Sequence, residues 1–331
     1  MRYIKAEDLE KGISLPDRFG IRSLKQVTED YVHVVTHMGK GFQLNLSSLG
    51  HLRADISLPA YAGRMPSNHL APICNLFDRD SGGRVYSQRI TKTTCQDFRE
   101  KTLSYDNHDG VDFVCPVGTK IVAAAPGIVT LIRDRWCRGG LTITVDHGAG
   151  LTTQYTHLSL AKVNVGQKVK RGEVIAASGS SGLEMTTFFP WVPPHLHFMV
   201  CVNGAPKDPF LKIHELPGSG NWEQRNYPTL GEASDSDFSE SKVQVKLMKE
   251  LINECKDESI RTEITEVWDN PLSLAALLED SFHHDEAAWP ANYRDQQLRI
   301  VNESEQIYLT LPLNWNTYDG MYFADAQRLK G

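Results

Sequence analysis

Five side chains in three short motifs have the types and the spacing of a catalytic metal centre. They are His108 and Asp112 in NHDGVDF, His157 in YTHLS, and His195 and His197 in PPHLHF. Neutral imidazole and carboxylate groups suit Zn²⁺, and a catalytic zinc site typically has three protein ligands and one open position. Three of the five can therefore hold one zinc ion, and the two remaining histidines can transfer protons beside it. This combination predicts a hydrolase.

Strand geometry would place these side chains on common faces. Successive side chains of a strand alternate between its two faces, so residues two or four apart point the same way. His195 and His197 share a face if HLHFMVCV is a strand, and the alternating end of that segment favours a strand. His108 and Asp112 share a face in the same way, in a segment that runs into VDFVCP. The competing interpretation, that each histidine only forms hydrogen bonds in a core, suits any one of them better than the whole set.

The segment from about Cys95 to Phe210 resembles the lysostaphin/LytM-type zinc endopeptidases (metallopeptidase family 23), which cut peptide bonds in bacterial cell-wall peptidoglycan. The resemblance covers about a third of the chain. It rests on H-x-x-x-D at residues 108–112, on the central HLS at residues 157–159, and on H-x-H at residues 195–197. The stretches APGIVT, ITVDHGAGLTTQYTHLS and VGQKVKRGEVIAASGSSG, and the exit VNGAPKDPF, are also similar to the family.

The resemblance implies one Zn²⁺ ion bound by His108, Asp112 and His197, with His157 and His195 as catalytic partners. It implies a zinc metalloendopeptidase whose substrate is the peptide part of peptidoglycan. The reaction would use a metal-activated water and two assisting histidines. Which histidine accepts the proton of the water stays open, as does the choice between stem peptides and cross-links.

Two features depart from the family pattern. Residues 183–194, LEMTTFFPWVPP, replace a connection that is usually shorter and rich in Gly and Thr. The aromatic side chains of this insert, among them Phe189 and Trp191, either line a substrate groove beside the metal or pack the insert onto the domain. Met199 stands where the family commonly has an acidic residue, two positions beyond His197 on the same strand face. We expect this change to alter a contact behind the ligand.

Turn signals and composition divide the chain into four regions. We expect a β-rich N-terminal module at residues 1–94, with alternating runs such as YVHVVTH and GFQLNLSSL, and a zinc peptidase domain at residues 95–213. The peptidase domain is expected to be mainly β, with an antiparallel core, an open metal groove and no long helix. A flexible acidic linker at 214–241 leads to an α+β C-terminal module of unknown role at 242–331. Two helices are expected there, the second beginning at Pro271.

Two further features of the C-terminal region carry expectations. Its last part, QLRIVNESEQIYLTLPLNWNTYDGMYFADA, is expected to form strands around an N-E-S-E turn. His283 and His284 are adjacent, so their side chains diverge on a helix or a strand, and we interpret them as a solvated pair rather than a metal site. The region as a whole is expected to serve in packing or oligomerisation, with wall targeting or inhibition as the alternative.

Composition limits the partners of the chain. Its 331 residues carry a net charge of −6, which argues against a general nucleic-acid binder. No run of apolar residues approaches the length of a transmembrane helix, and the oligomeric state stays open. Six dispersed cysteines without a C-x-x-C pair fit either disulfides in an oxidising compartment or thiols in the cytosol.

The N-terminus does not match the expected site of action. MRYIKAEDLEKGISLPDRFG carries charges throughout and has no apolar core, so it is not a conventional secretory signal. A peptidoglycan hydrolase is expected to be secreted or to lie in the bacterial cell envelope. The export route therefore stays open. A leader outside this sequence and cytoplasmic residence before delivery by dedicated machinery are both compatible with it.

Two other classes of function compete with a zinc endopeptidase. A catalytically silent relative would bind and activate other wall hydrolases, but inactive relatives tend to lack ligands, and this chain retains all five positions. A lipoyl carrier or phosphocarrier is suggested by VGQKVKRGEVIAASG, which resembles the turn of their β-sandwich. A lipoyl carrier would present a lysine at a hairpin tip, and a phosphocarrier has no use for H-x-x-x-D.

Overall fold

Among the residues that the structure describes, eleven strands form one sheet, which is the framework of the protein. A computed structural model describes residues 1–33, 52–82, 95–105, 107–211, 221–224, 226–231, 238–290, 293, 296–302 and 306–325. The strands in chain order are β1 (Tyr3–Lys5), β2 (Arg64–Pro66), β3 (Leu70–Asn75), β4 (Val111–Val114), β5 (Lys120–Val122), β6 (Gly127–Arg135), β7 (Gly140–Gly148), β8 (Leu151–Ala161), β9 (Lys168–Val169), β10 (Val174–Ser178), β11 (His195–Val202), β12 (Ala205–Lys207) and β13 (Gly320–Phe323). Strands β1 and β2 form a separate pair, and the other eleven form the large sheet.

The helices lie mainly at the two ends of the chain. Among the described residues, the α-helices are α1 (Leu15–Phe19), α2 (Leu24–His33), α3 (Ala54–Tyr61), α4 (Leu183–Thr187), α5 (Val245–Glu254), α6 (Glu258–Val267) and α7 (Pro271–His284). None of these helices is both long enough and apolar enough to cross a membrane.

The centre of the large sheet is antiparallel, as predicted. Its order is β13-β3-β4-β11-β8-β7-β6-β9, and β5, β10 and β12 attach beside this path. Strand β11 lies between β4 and β8, where His197 pairs with Asp112 on one side and with Thr156 on the other. The register of the sheet therefore brings the second histidine of H-x-H next to the aspartate of H-x-x-x-D.

The described residues of the N-terminal region, which is predicted to be β-rich, form helices as well as the strands β1, β2 and β3. Its described residues contain α1, α2 and α3, and the first three residues of YVHVVTH form the end of α2. An apolar run this short fits a helix as well as a strand, so periodicity alone could not decide between them. The rest of that run and all of GFQLNLSSL lie outside the described residues.

Strand β3 joins the N-terminal region to the catalytic sheet. Ile73 pairs with Phe113, and Asn75 pairs with Asp112, which is one of the predicted metal ligands. A long-range strand pairing of this kind leaves no local pattern in the sequence. Strands from both sides of the expected domain boundary at residue 94 therefore belong to the same sheet.

The predicted flexible linker contributes to the main core. Trp222, inside residues 214–241, is only 1% exposed, and its ring stacks on Phe198 with a centroid distance of 5.8 Å. The prediction of a flexible acidic linker is therefore wrong at this residue, because burying so large an aromatic side chain outweighs the polar composition around it. Much of this region lies outside the described residues, namely 214–220, 225 and 232–237.

The described part of the C-terminal region has three α-helices where two were predicted. Asp257 caps α6 by accepting a hydrogen bond from the backbone nitrogen of Ser259 at 2.8 Å, which separates α5 from α6. Helix α7 begins at Pro271, as predicted. The apolar faces of these three helices pack with Leu131 of β6 in a second hydrophobic cluster. These three helices therefore pack against the sheet through β6.

The end of the chain, which is predicted to form strands around an N-E-S-E turn, lies against the sheet. Strand β13 pairs in parallel with β3, and Arg299, Leu309 and Leu313 make single bridges to other segments. Among the described residues of this segment, β13 is the one named strand. The backbone partners come from distant segments, which neighbouring sequence does not reveal. Residues 303–305 of the expected turn lie outside the described residues.

Candidate metal centre

Three side chains converge where β4 and β11 lie side by side. His108 Nε2 lies 3.0 Å from Asp112 Oδ1 and 3.1 Å from His197 Nδ1. His197 Nδ1 lies 2.9 Å from the same oxygen of Asp112. The three side chains are between 7% and 11% exposed. These are the three metal ligands expected from the sequence, and the fold brings them to one point.

Gly110 allows the first motif to approach β11 closely. A side-chain carbon at this position would lie 2.7 Å from the carbonyl oxygen of Phe198 and 2.9 Å from the ring of His197. Both distances are shorter than van der Waals contact, so a residue without a side chain is needed here. The close approach allows His108 and Asp112 to reach the same point as His197.

On the rings of His108 and His197, the nitrogen that faces away from Asp112 carries the hydrogen and forms a hydrogen bond. His108 Nδ1 lies 3.1 Å from the carbonyl oxygen of Leu76, and His197 Nε2 lies 3.0 Å from Asp109 Oδ1. Both partners accept hydrogen bonds, so these two nitrogens are the donors. The lone pairs of His108 Nε2 and His197 Nδ1 therefore face the carboxylate of Asp112.

Three electron-rich atoms this close together repel one another unless a positive charge lies between them. Without a metal ion a proton supplies the charge: burial opposes it, but Asp109 and Asp112 raise the pKa of His197 to about 10. A divalent cation would displace that proton, as metal binding to imidazole generally does. The donor set, two imidazoles and one carboxylate, therefore fits a bound metal ion.

The two histidines expected to assist catalysis stand beside the ligands. The ring centroid of His157 lies 4.8 Å from that of His195 and 5.9 Å from that of His197. His195 Nε2 lies 3.5 Å from Asp112 Oδ1, and its Nδ1 lies 2.8 Å from the carbonyl oxygen of Pro193. All five predicted side chains thus meet in one site.

The protonation of His157 follows from its surroundings. Its Nδ1 lies 2.8 Å from the carbonyl oxygen of Ser181 and 3.1 Å from that of Gly139, so Nδ1 donates. Burial, followed by the charges of His195 and His197, lowers the pKa of His157 to about 3. The ring is therefore neutral at neutral pH, with a lone pair on Nε2.

An irregularity in β8 orients His157. The pairing of β8 with β7 changes register between Leu141–Leu158 and Ile143–Tyr155, and His157 has a φ of 62°. This left-handed conformation is strained for a residue other than glycine, and such strain concentrates at functional sites. A bulge of this kind redirects a side chain out of the regular alternation.

A groove leads to the five side chains. Its other walls include Tyr105, Asn107, Arg138, Glu184 and His284. Tyr105 and Asn107 come from the segment before β4, and His284 from the end of α7. The open groove predicted for the antiparallel core is therefore present, and segments from three parts of the chain form it.

The insert at residues 183–194 meets the groove through Glu184. Its Phe189 packs edge-on against Phe19, with a centroid distance of 5.4 Å, and against Tyr61, with a centroid distance of 4.8 Å. Those rings belong to the N-terminal region. For Phe189 the structure favours the interpretation that the insert packs onto the rest of the chain.

Sequence reasoning missed part of this site. Asp109 lies 3.0 Å from His197 Nε2 and 2.6 Å from His283 Nε2. The prediction that His283 and His284 are solvated is wrong, because α7 packs beside the site and leaves their side chains 9% and 8% exposed. The acidic residue Asp109 inside HDGVD was the one sign of this contact in the sequence. Nothing in the sequence indicated the partner, because His283 lies 174 positions further along the chain.

Met199 is 3% exposed and also lines the groove.

Known proteins are similar in sequence to the segment that holds the site. Residues 106–209 match the family described as Peptidase family M23. The peptidoglycan DD-endopeptidase ShyA of Vibrio cholerae is 36% identical over 99 residues, which are 30% of this chain and 21% of that protein. The DD-carboxypeptidase/endopeptidase Mpg of Neisseria meningitidis is 35% identical over 102 residues, which are 31% of this chain and 22% of that protein.

A solved structure is similar over the same share of the chain. The catalytic domain of the antimicrobial peptidase lysostaphin from Staphylococcus simulans is 35% identical, covering 31% of this chain and 75% of that one, with a TM-score of 0.27. The chain spans about a fifth of the length of the curated relatives named above. The matched segment contains all five site residues. The segment that holds the site, residues 106–209, is therefore similar to peptidase family M23.

Proposed function

We propose that this chain is a zinc metalloendopeptidase that hydrolyses peptide bonds in bacterial peptidoglycan. The observation that carries the proposal is the convergence of His108 Nε2, Asp112 Oδ1 and His197 Nδ1, which lie 2.9 to 3.1 Å apart. The rings of His157 and His195 stand beside them. Relatives that are similar over this segment are named as peptidoglycan or D,D-specific peptidases.

His108, Asp112 and His197 are proposed to hold one Zn²⁺ ion. Three protein ligands are the number that leaves a coordination position open in catalytic zinc sites. When bound, zinc lowers the pKa of a water molecule from about 15.7 towards about 7 and polarises a carbonyl oxygen. Asp109 and the carbonyl oxygen of Leu76 keep the outer nitrogens of the two ligand rings protonated, so the inner nitrogens stay available to the ion.

His157 and His195 are proposed to move the protons of the reaction. Each ring donates from Nδ1 to a backbone carbonyl oxygen, so its Nε2 can accept the proton of the attacking water. A proton accepted at Nε2 can then pass to the leaving amine. A protonated ring also donates a hydrogen bond that stabilises the developing oxyanion.

The alternative of a catalytically silent activator is not favoured. Such a protein needs neither a converging ligand set nor two histidines oriented by backbone carbonyls, and this chain has both. Metal analysis of the purified protein separates the two functions. The enzyme requires about one zinc ion per chain, whereas a silent relative would bind none.

Peptidoglycan as substrate implies that the protein acts in the cell envelope or outside the cell. The six cysteines are free and buried. The location is proposed from the substrate alone. Fractionation of cells that produce the protein would test it.

Digestion of purified peptidoglycan by the zinc-loaded protein is the experiment that tests the proposed function. Mass analysis of the released fragments would show new amine ends, and their position would identify the bond that is cut. The His157→Ala variant is the matched control, because it retains all three proposed ligands. Intact peptidoglycan after treatment with the zinc-loaded wild-type protein would contradict the proposal.

A further inference from the structure

A chain of hydrogen bonds links the C-terminal helix to the metal centre. His197 Nε2 lies 3.0 Å from Asp109 Oδ1, on the side of the ring away from Asp112. The other oxygen of Asp109 lies 2.6 Å from Nε2 of His283, near the end of α7. Asp109 is 4% exposed, and the side chains of His197 and His283 are 11% and 9% exposed, so water has little access to these contacts.

We propose that His283 is a positioning residue of the metal centre. It holds Asp109 in place, and Asp109 fixes the ring orientation and the proton of the ligand His197. The inference rests on the proposed metal site, and it concerns a residue far beyond the family segment, which ends at residue 209. It gives α7 a part in metal binding in addition to packing.

A ligand imidazole needs a firm acceptor on its second nitrogen. His197 can offer the lone pair of Nδ1 to a metal only while Nε2 keeps its hydrogen, and a carboxylate is a strong acceptor for that hydrogen. The negative charge of such a carboxylate also makes the ring a better ligand. Because one histidine engages each oxygen of Asp109, the carboxylate has little freedom to rotate away.

Helix α7 is anchored well enough to hold His283 in position. The backbone carbonyl oxygen of Phe282 accepts a hydrogen bond from the hydroxyl of Tyr293 at 2.9 Å. Gly204, in the turn after β11, leaves room for the helix, since a side-chain carbon there would lie 2.5 Å from Glu279. Three buried arginines each contact one acid on the helix or directly after it; the pairs are Arg133–Asp280, Arg138–Asp285 and Arg299–Glu279.

The test measures zinc affinity as well as activity. His283→Ala removes the donor to the carboxylate, His283→Gln keeps an N–H donor of similar reach, and Asp109→Ala removes the carboxylate. Zinc affinity is determined by competition with a chelator, next to kcat, KM and the thermal unfolding of the metal-free protein. The matched control is His69→Ala, at an exposed histidine that contacts the carbonyl oxygen of Thr317.

We expect His283→Ala to weaken zinc binding by about 10- to 100-fold, the usual effect of losing a residue that orients a ligand. His283→Gln should recover most of the affinity, and His69→Ala should bind zinc like the wild type. A double variant that combines His283→Ala with Asp109→Ala tests whether His283 acts through Asp109. It should bind zinc no more weakly than Asp109→Ala alone.

Wild-type zinc affinity in His283→Ala, with only a lower unfolding temperature, would overturn the proposal. Fully additive losses in the double variant would overturn it as well. Zinc binding without peptidoglycan cleavage would count against the proposed function alone, since the affinity comparison does not depend on the substrate. A wild-type protein that binds no zinc would overturn both.

Discussion

The nitrogen that each imidazole turns inward distinguishes the proposed ligand His197 from the proposed proton carrier His195. His195 and His197 share one face of β11, yet His195 bonds to Pro193 through Nδ1 and His197 bonds to Asp109 through Nε2. His197 therefore presents Nδ1 to the site, and His195 presents Nε2. The H-x-H spacing was visible in the sequence, but these two hydrogen-bond partners, which decide the roles, were not identified from it.

Replacing His197 by alanine removes one of three proposed ligands. We expect the variant to lose zinc and peptidoglycan hydrolysis together, because His108 and Asp112 alone bind the ion much more weakly. Metal analysis after dialysis and a digestion assay measure the two losses. A variant that retains one zinc ion per chain would contradict the ligand assignment.

Replacing His157 by alanine leaves the three proposed ligands in place. We expect wild-type zinc content and a kcat lower by about 10²- to 10⁴-fold, the usual contribution of a general acid–base group. Metal analysis and steady-state kinetics measure these quantities. Unchanged turnover would remove His157 from the mechanism, and loss of zinc would make it a ligand.

Among the secondary-structure elements, strands position most of the site residues, and α7 packs beside the site. The segment HLHFMVCV was predicted to be a strand and is confirmed as β11 (His195–Val202), because alternation over eight residues is a local property. The register shift in β8 that orients His157 was not predictable. It depends on pairing with β7, and neighbouring residues do not encode that register.

Arg299 fastens α7 to the sheet. It is fully buried, with Nε 2.9 Å from both carboxylate oxygens of Glu279 and Nη1 2.7 Å from Asp146 Oδ1 on β7. Arg299→Met would leave two buried carboxylates without their cation. We expect the free energy of unfolding to fall by about 3–5 kcal/mol.

Denaturant unfolding measures this loss, and Lys246→Met is the matched control. The side chain of Lys246 is 93% exposed, so removing its charge should change the free energy of unfolding by less than about 0.5 kcal/mol. Equal effects of the two substitutions would show that Arg299 does not anchor the helix.

In the molecule as a whole, the family segment is completed by residues outside it. Strand β3 extends its sheet, Trp222 enters its core, and α7 packs beside its metal site. A second hydrophobic cluster joins α5, α6 and α7 to β6 through Leu131. The C-terminal region was expected to serve in packing or oligomerisation. Its described helices pack against the sheet, and its role stays a prediction.

Protein stability should depend on pH through buried His147. Its Nδ1 lies 2.8 Å from the carbonyl oxygen of Pro126 and its Nε2 lies 2.8 Å from the hydroxyl of Thr153. Burial lowers the pKa of His147 to about 4, below its ordinary value of 6.5. As the pH falls, the unfolded chain binds the proton first. The stabilisation is therefore complete above pH 6.5, and about 3 kcal/mol is lost as the pH falls to 4.

His147→Asn removes this titration and keeps an N–H donor for Pro126. The difference in free energy of unfolding between wild type and variant should be largest near pH 7 and shrink towards pH 4. Chemical unfolding across this range measures it. A difference that stays constant with pH would contradict the assignment to His147.

The sequence by itself determined which side chains are candidates for the site. The five side chains of the proposed site and the helical character of the C-terminal region follow from residue type and short-range spacing. Only the tertiary structure decided how the site is completed. The approach of β3, the burial of Trp222 and the contact of Asp109 with His283 join residues far apart in the chain. Such contacts leave no periodic pattern in sequence, because they are selected by the packing of the whole molecule.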